Sequence, residues 1–309
     1  MLRTALPKDG LPDADDLDCL VAGCDKRELS VPPKTIAVFI DPSPVGEERV
    51  AYAVKLAFRH RAHLIGVFVV PFGWDGNPSE SFVRGQAAIR ELIAQHTAAE
   101  SAATSAASQS FATVATREDI SFEFRFLSHG DAHEGAVLNA LHSDLVIVGG
   151  SRSGGLPDEW SAESLLLSTG VPFLLLPDHW TGAVAEHIVV AWNASREARR
   201  AIADALPFLL GALSVTVLVV DSQKNSRHGE EPGADVALYL SRHGARVAVE
   251  RVQSNGNPIA EVILGFAKRR NCDLIVVGAY SHARATEMIF GGVTRHLLRD
   301  TTVPLLIAH

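Results

Sequence analysis

The chain has 309 residues, enough for two ordinary domains that each bury their own core. Hydrophobic residues make up 47% and charged residues 21% of it, a composition typical of globular proteins that argues against extended disorder. The formal net charge is -8 and the pI is near 5.9, so no broad basic surface is available. We therefore expect neither nucleic acid nor a membrane as a partner, although a local site for one nucleotide remains compatible with this charge.

The cysteines and the start of the chain indicate a reducing compartment. Three cysteines cannot form a disulfide framework, and Cys19 and Cys24 lie in an acidic leader without the spacing of a metal or redox pair. The sequence contains no signal-like start and no run near the roughly 18 apolar residues that span a membrane. These features predict a cytoplasmic protein.

The predicted elements of the first half, in chain order, alternate between strand and helix. We predict strands at 34–41, 63–70, 121–127, 144–150 and 171–177, and helices at 45–60, within 91–115 and at 130–142. The Ala/Ser-rich stretch 91–115 is predicted to start as a helix and to loosen into a surface loop. The strand 121–127 alternates apolar and polar residues, which is typical of a sheet edge.

The second half repeats this order. We predict strands at 187–193, 214–220, 246–252, 273–279 and 303–309, and helices at 195–210, 256–270 and from about 293. Ser195 is the predicted N-cap of the first of these helices. Three pairs of segments carry the repeat: 34–41 with 187–193, 144–150 with 273–279, and 171–177 with 303–309.

Strands that alternate with helices predict parallel pairing through right-handed crossovers, with helices on both faces of the sheet. The fold class is therefore α/β, with two tandem, doubly wound, Rossmann-like domains of five parallel strands each. We place a leader at 1–33, domain one at 34–178 and domain two at 186–309, with a short polar boundary at 178–186. In such sheets the ligand crevice lies at the carboxyl ends of the strands, after strands one and four.

In domain two, this crevice is predicted to be formed by 193–195 and by the long loop 278–294. Gly291 and Gly292 come just before a helix start, where bare N–H groups and the helix dipole favour phosphate oxygens, and Thr294 adds a hydroxyl. Catalytic patterns such as a nucleophile elbow or a lysine-bearing P-loop are absent from the sequence, and no HExxH or Cys/His cluster indicates a metal site.

From Lys34 to His309 the chain resembles a tandem universal stress protein. The likeness is carried by Val190–Ser195 (Val-Ala-Trp-Asn-Ala-Ser), by Asp273–Gly278, by the glycine loop and by the closing strand from Val303. In that family, Gly-x-x-Gly, nine residues and Gly-Ser/Thr hold the phosphates of ATP. Here Ser281 replaces the second glycine and Gly292 replaces the Ser/Thr, while the nine-residue spacing is kept. The resemblance also implies an adenine nucleotide alpha-hydrolase-like fold.

The resemblance implies a set of ligand-binding residues in domain two: Ala191, Trp192, Asn193, Val219, Val277, Gly278, Tyr280, Ser281, Gly291, Gly292, Val293 and Thr294. Several have an architectural alternative. Asn193, like Asp41 in domain one, can instead shape a turn, Val219 and Trp192 can be core residues, and His282 and Arg284 can be solvated loop side chains. Domain one has a shorter loop with Asp158, Glu159 and Glu163, so we expect a poorer nucleotide site there or none.

The leading hypothesis is a stress-response or regulatory module that binds ATP, ADP, AMP or a related small ligand weakly in domain two, with Mg²⁺ accompanying ATP. The alternatives are a slow ATP hydrolase of the same fold and a ligand-free interaction protein. In the family, the last strand tends to pair across a dimer. The resemblance therefore implies that 303–308 lies at an edge shared between domains or chains, which gives a pseudo-dimer within one chain and allows a further homodimer.

Overall fold

The computed structural model describes residues 32–41, 43–70, 85–127, 132–150, 162–224, 226–279, 281–284 and 287–309. Ten strands of this part of the chain form one sheet in the order β3-β2-β1-β4-β5-β12-β9-β6-β7-β8. The strands of the first half are β1 (Thr35–Ile40), β2 (His63–Val69), β3 (Phe122–Leu127), β4 (Leu145–Gly149) and β5 (Phe173–Leu176). Those of the second half are β6 (His187–Ala191), β7 (Ser214–Val220), β8 (Val247–Val252), β9 (Leu274–Gly278) and β12 (Leu305–Ala308).

Each half arranges its five strands in the same order, and within a half every pairing is parallel. The predicted α/β fold class is confirmed. The two halves do not form separate sheets, however, because β12 pairs antiparallel with β5, with Leu306 opposite Leu174. This single antiparallel pairing joins two parallel sheets into one.

Helices cover both faces of the sheet. One face carries α1 (Pro44–His60), α2 (Gly85–Ala115), α5 (Arg196–Gly211) and α6 (Ala234–Arg242), and the other carries α3 (Ala132–Leu141), α4 (Ala162–Thr169), α7 (Ile259–Arg269) and α8 (Gly292–Asp300). Two short 3₁₀ turns, Ser222–Lys224 and Ser226–His228, follow β7. Each face of the sheet therefore buries its own apolar core against one helical layer.

The helix starts after β1 and β6 follow the local rules that the sequence suggests. Ser195 caps α5, since its hydroxyl accepts a hydrogen bond from Ala198 N at 3.1 Å. Ser43 caps α1 in the same way through Gly46 N, and Pro44 occupies the first turn, where a missing N–H costs nothing. The two halves thus turn from their first strand into their first helix by the same device.

Two predictions about irregular segments were wrong. The Ala/Ser-rich stretch does not loosen, because α2 continues to Ala115 and buries Ala107, Phe111 and Val114 against the sheet. The loop after β9 is also not wholly irregular, since β10 (Ser281–Arg284) and β11 (Glu287–Phe290) form an antiparallel hairpin. In both cases tertiary packing or pairing decides a structure that local composition leaves open.

Candidate functional site

A cavity of about 300 Å³ opens at the carboxyl ends of β6 and β9. Strand β6 lies between β7 and β9, so the connections on its two sides lead to opposite faces of the sheet and leave a crevice there. The cavity lies on the α7 and α8 side and is lined by Ala191, Trp192, Asn193, Leu218, Val220, Ile259, Ile263, Val277, Gly278, Gly291, Gly292, Val293 and Thr294. The volume is at the lower end of the range typical of small-ligand pockets.

Most of the residues predicted for the site lie together on this wall, with three exceptions. Val219 is fully buried in the core on the opposite face, and its neighbours Leu218 and Val220 line the cavity instead. Side chains alternate between the faces of a strand, so a one-residue offset along β7 exchanges core for pocket. Ser281 is the first residue of β10, of which the structure describes the backbone only, and Tyr280 lies outside the described residues.

Two wall residues are not among those predicted from the sequence. Ile259 and Ile263 lie one turn apart on α7 and form the side of the cavity opposite the strand ends. The i, i+4 apolar spacing was visible in the sequence, but such spacing also describes any core-facing helix. The same apolar helix face can pack against a core or line a cavity. The difference depends on the element that faces the helix, and the sequence of the helix does not specify that element.

The N-terminus of α8 forms the polar end of the cavity. Gly291 is the N-cap residue, with φ -61° and ψ 154°, and no side chain caps the helix. The first backbone bond runs from Arg295 N to Gly291 O at 3.2 Å, so the N–H groups of Gly292, Val293 and Thr294 are not used within the helix. A Cβ on Gly292 would meet no atom within 4 Å, which leaves room beside these donors.

The end of β9 approaches the start of α5 so closely that only glycine fits. A Cβ on Gly278 would lie 2.3 Å from Ala198 N and 2.3 Å from the carbonyl carbon of Glu197. Both are backbone atoms, so the contact cannot be relieved by a side-chain rotation. Gly278 therefore fixes the start of α5, and with it the turn that carries Asn193, relative to β9.

The Asn193 side chain shapes that turn while remaining at the cavity mouth. Its Oδ1 accepts a hydrogen bond from Ser195 N at 3.2 Å, and Ala194 between them has a left-handed φ of 55°. Asn193 itself is exposed and contributes to the cavity lining. Asn193 therefore shapes the turn, as its architectural alternative predicts, and also lines the cavity.

A second, more polar cavity of about 430 Å³ adjoins the first and shares Ile259, Gly292 and Val293 with it. Its basic side chains lie against carboxylates: Lys224 Nζ is 2.6 Å from Asp221 Oδ2, and His296 Nε2 is 3.2 Å from Asp300 Oδ2. Hydrogen bonds from Lys224 and Ser254 lower the pKa of Asp221 to about 2. Among the described residues that line the first cavity there is no cationic side chain, so an anionic group held by these residues would depend mainly on backbone N–H donors.

The corresponding position in the first half is occupied differently. Asp41 follows β1 as Asn193 follows β6, but Arg49 Nη1 lies 2.9 Å from Asp41 Oδ2 and also donates to Phe39 O at 2.9 Å. Arg49 is only 1% exposed, and Asp41 Oδ1 accepts from both the N–H and the hydroxyl of Ser43. The Asp41 carboxylate is thus bound within the fold. Asp158 and Glu159, predicted to oppose an anion here, lie outside the described residues.

Among the described residues, no three His, Cys, Asp or Glu side chains are grouped as metal ligands. None of the helices in that part of the chain combines the length and the apolar character needed to cross a membrane.

The sequence model of the universal stress protein family matches residues 185–309. This segment covers β6 to β12 and contains all the described residues that line the cavity. The second half of the chain is a universal stress protein domain. No sequence among the curated proteins matches the chain significantly.

Solved structures extend the likeness to nearly the whole chain. A universal stress protein from Archaeoglobus fulgidus DSM 4304 superposes with a TM-score of 0.62 at 14% identity, covering 89% of this chain and 95% of its own. A functionally unknown protein from Pseudomonas aeruginosa PAO1 gives a TM-score of 0.50 at 14% identity, covering 92% of this chain and 93% of its own. At such identities the likeness concerns the fold, so the half that precedes the universal stress protein domain shares the tandem architecture of these structures.

Proposed function

We propose that the universal stress protein domain binds an adenine nucleotide, or a related small ligand, in the cavity at the ends of β6 and β9. The observation that carries the proposal is the junction of an apolar slot with the uncapped start of α8. Leu218, Val220 and Ile263 offer apolar contact for a base, while the N–H groups that follow Gly291 and the hydroxyl of Thr294 suit phosphate oxygens.

The described residues fit a nucleoside and its nearest phosphate better than a full triphosphate. The described part of the lining contains no cationic side chain, and the neighbouring Lys224 and His296 are paired with carboxylates. Charge-assisted bonds are about twice as strong as neutral ones, so their absence predicts weak binding. The lining residues that the structure describes include no carboxylate, so Mg²⁺ accompanying ATP would be held by the phosphates rather than by these residues.

Calorimetry with ATP, ADP, AMP and adenosine tests the proposal, with the fluorescence of Trp192 at the cavity wall as a second signal. We expect binding of the nucleotides in the micromolar to millimolar range, with adenosine weaker than AMP because it lacks the phosphate that faces α8. Absence of heat and of fluorescence change with all four at millimolar concentration would reject nucleotide binding and favour the ligand-free interaction protein.

A charge variant at the helix start separates phosphate binding from base binding. In Gly291→Asp the new carboxylate caps α8 and repels a phosphate, so AMP binding should fall by about tenfold or more while the protein folds as before. Gly291→Asn is the matched control, because it can cap the helix without adding charge. Equal AMP affinity in Gly291→Asp and in wild type would contradict a phosphate at this position.

A further inference from the structure

The strand β3 lies at one end of the sheet, and its residues are arranged symmetrically about Phe124. Within the described part of the chain, β3 pairs with β2 and with no other strand. From Phe122 to Phe126 it reads Phe-Glu-Phe-Arg-Phe, with aromatic residues at both ends and in the centre. One acidic and one basic residue flank the central Phe124.

The backbone N–H and C=O groups of β3 that point away from β2 belong to its three phenylalanines. Ser121 O accepts from Leu64 N at 2.9 Å, and Leu127 O accepts from Val70 N at 3.0 Å, so these odd-numbered residues face β2. Backbone groups alternate in direction along a strand. The N–H and C=O groups of Phe122, Phe124 and Phe126 therefore point to the open edge, as donors and acceptors for another strand.

The side chains of β3 make contacts within the chain, but several of them remain partly exposed. Phe122 and Phe124 pack on Phe111 with ring centroids 5.7 and 6.0 Å away, but Phe126 is 60% exposed. On the opposite face, Glu123 and Arg125 contact each other and remain 41% and 42% exposed. The helix α3, which packs on that same face, also exposes Leu138 and Leu141.

We propose that β3 pairs antiparallel with β3 of a second copy of this chain, about a two-fold axis at Phe124. In this register Phe122 lies opposite Phe126 of the second copy, Glu123 lies opposite its Arg125, and Phe124 lies opposite its counterpart. All three outward-facing residues then fall in hydrogen-bonded pairs, and both ion pairs bring opposite charges together. The pairing extends the ten-stranded sheet of each chain across the dimer.

The other end of the sheet lacks these properties. At β8, Arg246 O accepts from Val215 N of β7 and Val252 O accepts from Asp221 N just after β7, so Arg251 belongs to the outward-facing set. Its guanidinium donates to Pro232 O at 2.9 Å and to Glu231 Oε2 at 2.8 Å, which places a side chain and a loop at that edge. A two-fold axis at Val249 would place Glu250 opposite Ala248, without a charge partner. The self-complementary pattern therefore distinguishes β3 from β8, the strand at the other end of the sheet.

Sedimentation velocity of the full chain from low to high micromolar concentration tests the proposal. We expect a reversible monomer–dimer equilibrium in the wild type. Glu123→Arg and Arg125→Glu each place like charges opposite one another and should weaken dimerisation roughly tenfold or more. The double variant Glu123→Arg/Arg125→Glu restores opposite charges and should dimerise like the wild type.

Two further variants keep the test independent of folding. Phe126→Asp changes an exposed side chain and should give a folded monomer, as judged by circular dichroism. Arg251→Glu makes a comparable charge change at β8 and should leave the dimer unchanged. A wild-type chain that stays monomeric throughout overturns the proposal, as does a dimer that is insensitive to both single charge reversals.

Discussion

At the scale of single residues, Asp41 and Asn193 occupy equivalent places after the first strand of each half but have different partners. Asp41 lies against the buried guanidinium of Arg49, whereas Asn193 Oδ1 accepts a hydrogen bond from Ser195 N, two residues along the chain. Burial lowers the pKa of Arg49, and the neighbouring Asp41 carboxylate opposes that shift. In the first half a charged pair therefore stabilises the fold at the position where the second half presents an exposed amide.

Removing the Asp41 carboxylate should be costly because it leaves Arg49 as an uncompensated buried charge. We expect Asp41→Ala to lower the free energy of unfolding by about 3–5 kcal/mol, measured by urea denaturation. Asp204→Ala, which removes the partner of the half-exposed Arg200, is the control and should cost about 1 kcal/mol or less. If the two variants lose the same stability, the Arg49 pair is not the strong contact that its burial implies.

A residue's role can be predicted more readily when it depends on neighbours in sequence than when it depends on contacts with distant segments. Ser195 as a helix cap, and the helix that starts near Gly291, depend on neighbours in sequence and agree with the structure. The placement of Val219 in the core and of Val220 on the cavity follows the phase of β7, in which polar Ser214 and Thr216 alternate with the buried Val215 and Val217. This alternation was present in the sequence, and the prediction of Val219 as a ligand contact did not use it. The Arg49 pair depends on a burial that sequence alone does not indicate.

At the scale of elements, the relation of β9 to α5 sets the geometry of the cavity. The sequence predicted both elements, and it predicted a glycine that turns the backbone out of β9. In the structure Gly278 has a different role. Because it lacks a side chain, the backbone at the start of α5 can lie 2.3 Å from the position that a Cβ of residue 278 would occupy. A close approach between segments that are distant in sequence cannot be read from either segment alone.

Gly278→Ala should therefore displace the start of α5 and the Asn193 turn together. Because the contacts are with backbone atoms, we expect a loss of about 1–3 kcal/mol in the free energy of unfolding and weaker AMP binding than in wild type. Gly211→Ala, in α5 where a Cβ meets nothing within 4 Å, is the matched control and should stabilise the helix slightly without affecting binding. Denaturation and calorimetry on both variants distinguish the outcomes, and an unaffected Gly278→Ala variant would contradict the close packing.

At the scale of the whole molecule, the antiparallel pairing of β5 with β12 makes one body of two repeats. Both strands are short, apolar and fully buried, so their sequences specify burial but not which strand lies alongside. The repeat itself could be predicted because the same pattern of strands and helices occurs twice. The register that joins the repeats, and the helix contacts across the junction, come from three-dimensional packing.

One of those contacts makes stability depend on pH. His60 at the end of α1 packs edge-on against Phe208 of α5, with ring centroids 5.0 Å apart, and burial together with nearby Arg59 and Lys34 lowers the pKa of His60 to about 4. An unfolded histidine titrates near 6.5, so between about pH 6.5 and 4 the unfolded chain takes up a proton that the folded chain does not. The contribution of His60 to the free energy of unfolding is therefore fully present above this window and is lost through it as the pH falls, by at most about 3 kcal/mol.

His60→Phe keeps an aromatic contact with Phe208 and removes the titration. Its stability relative to wild type, measured by urea denaturation, should rise steadily as the pH is lowered from 7 to 4. His142→Gln, at an exposed position after α3, should follow the wild-type profile. Parallel profiles for His60→Phe and wild type would show that the junction tolerates a protonated His60, and that the acid sensitivity of the molecule arises elsewhere.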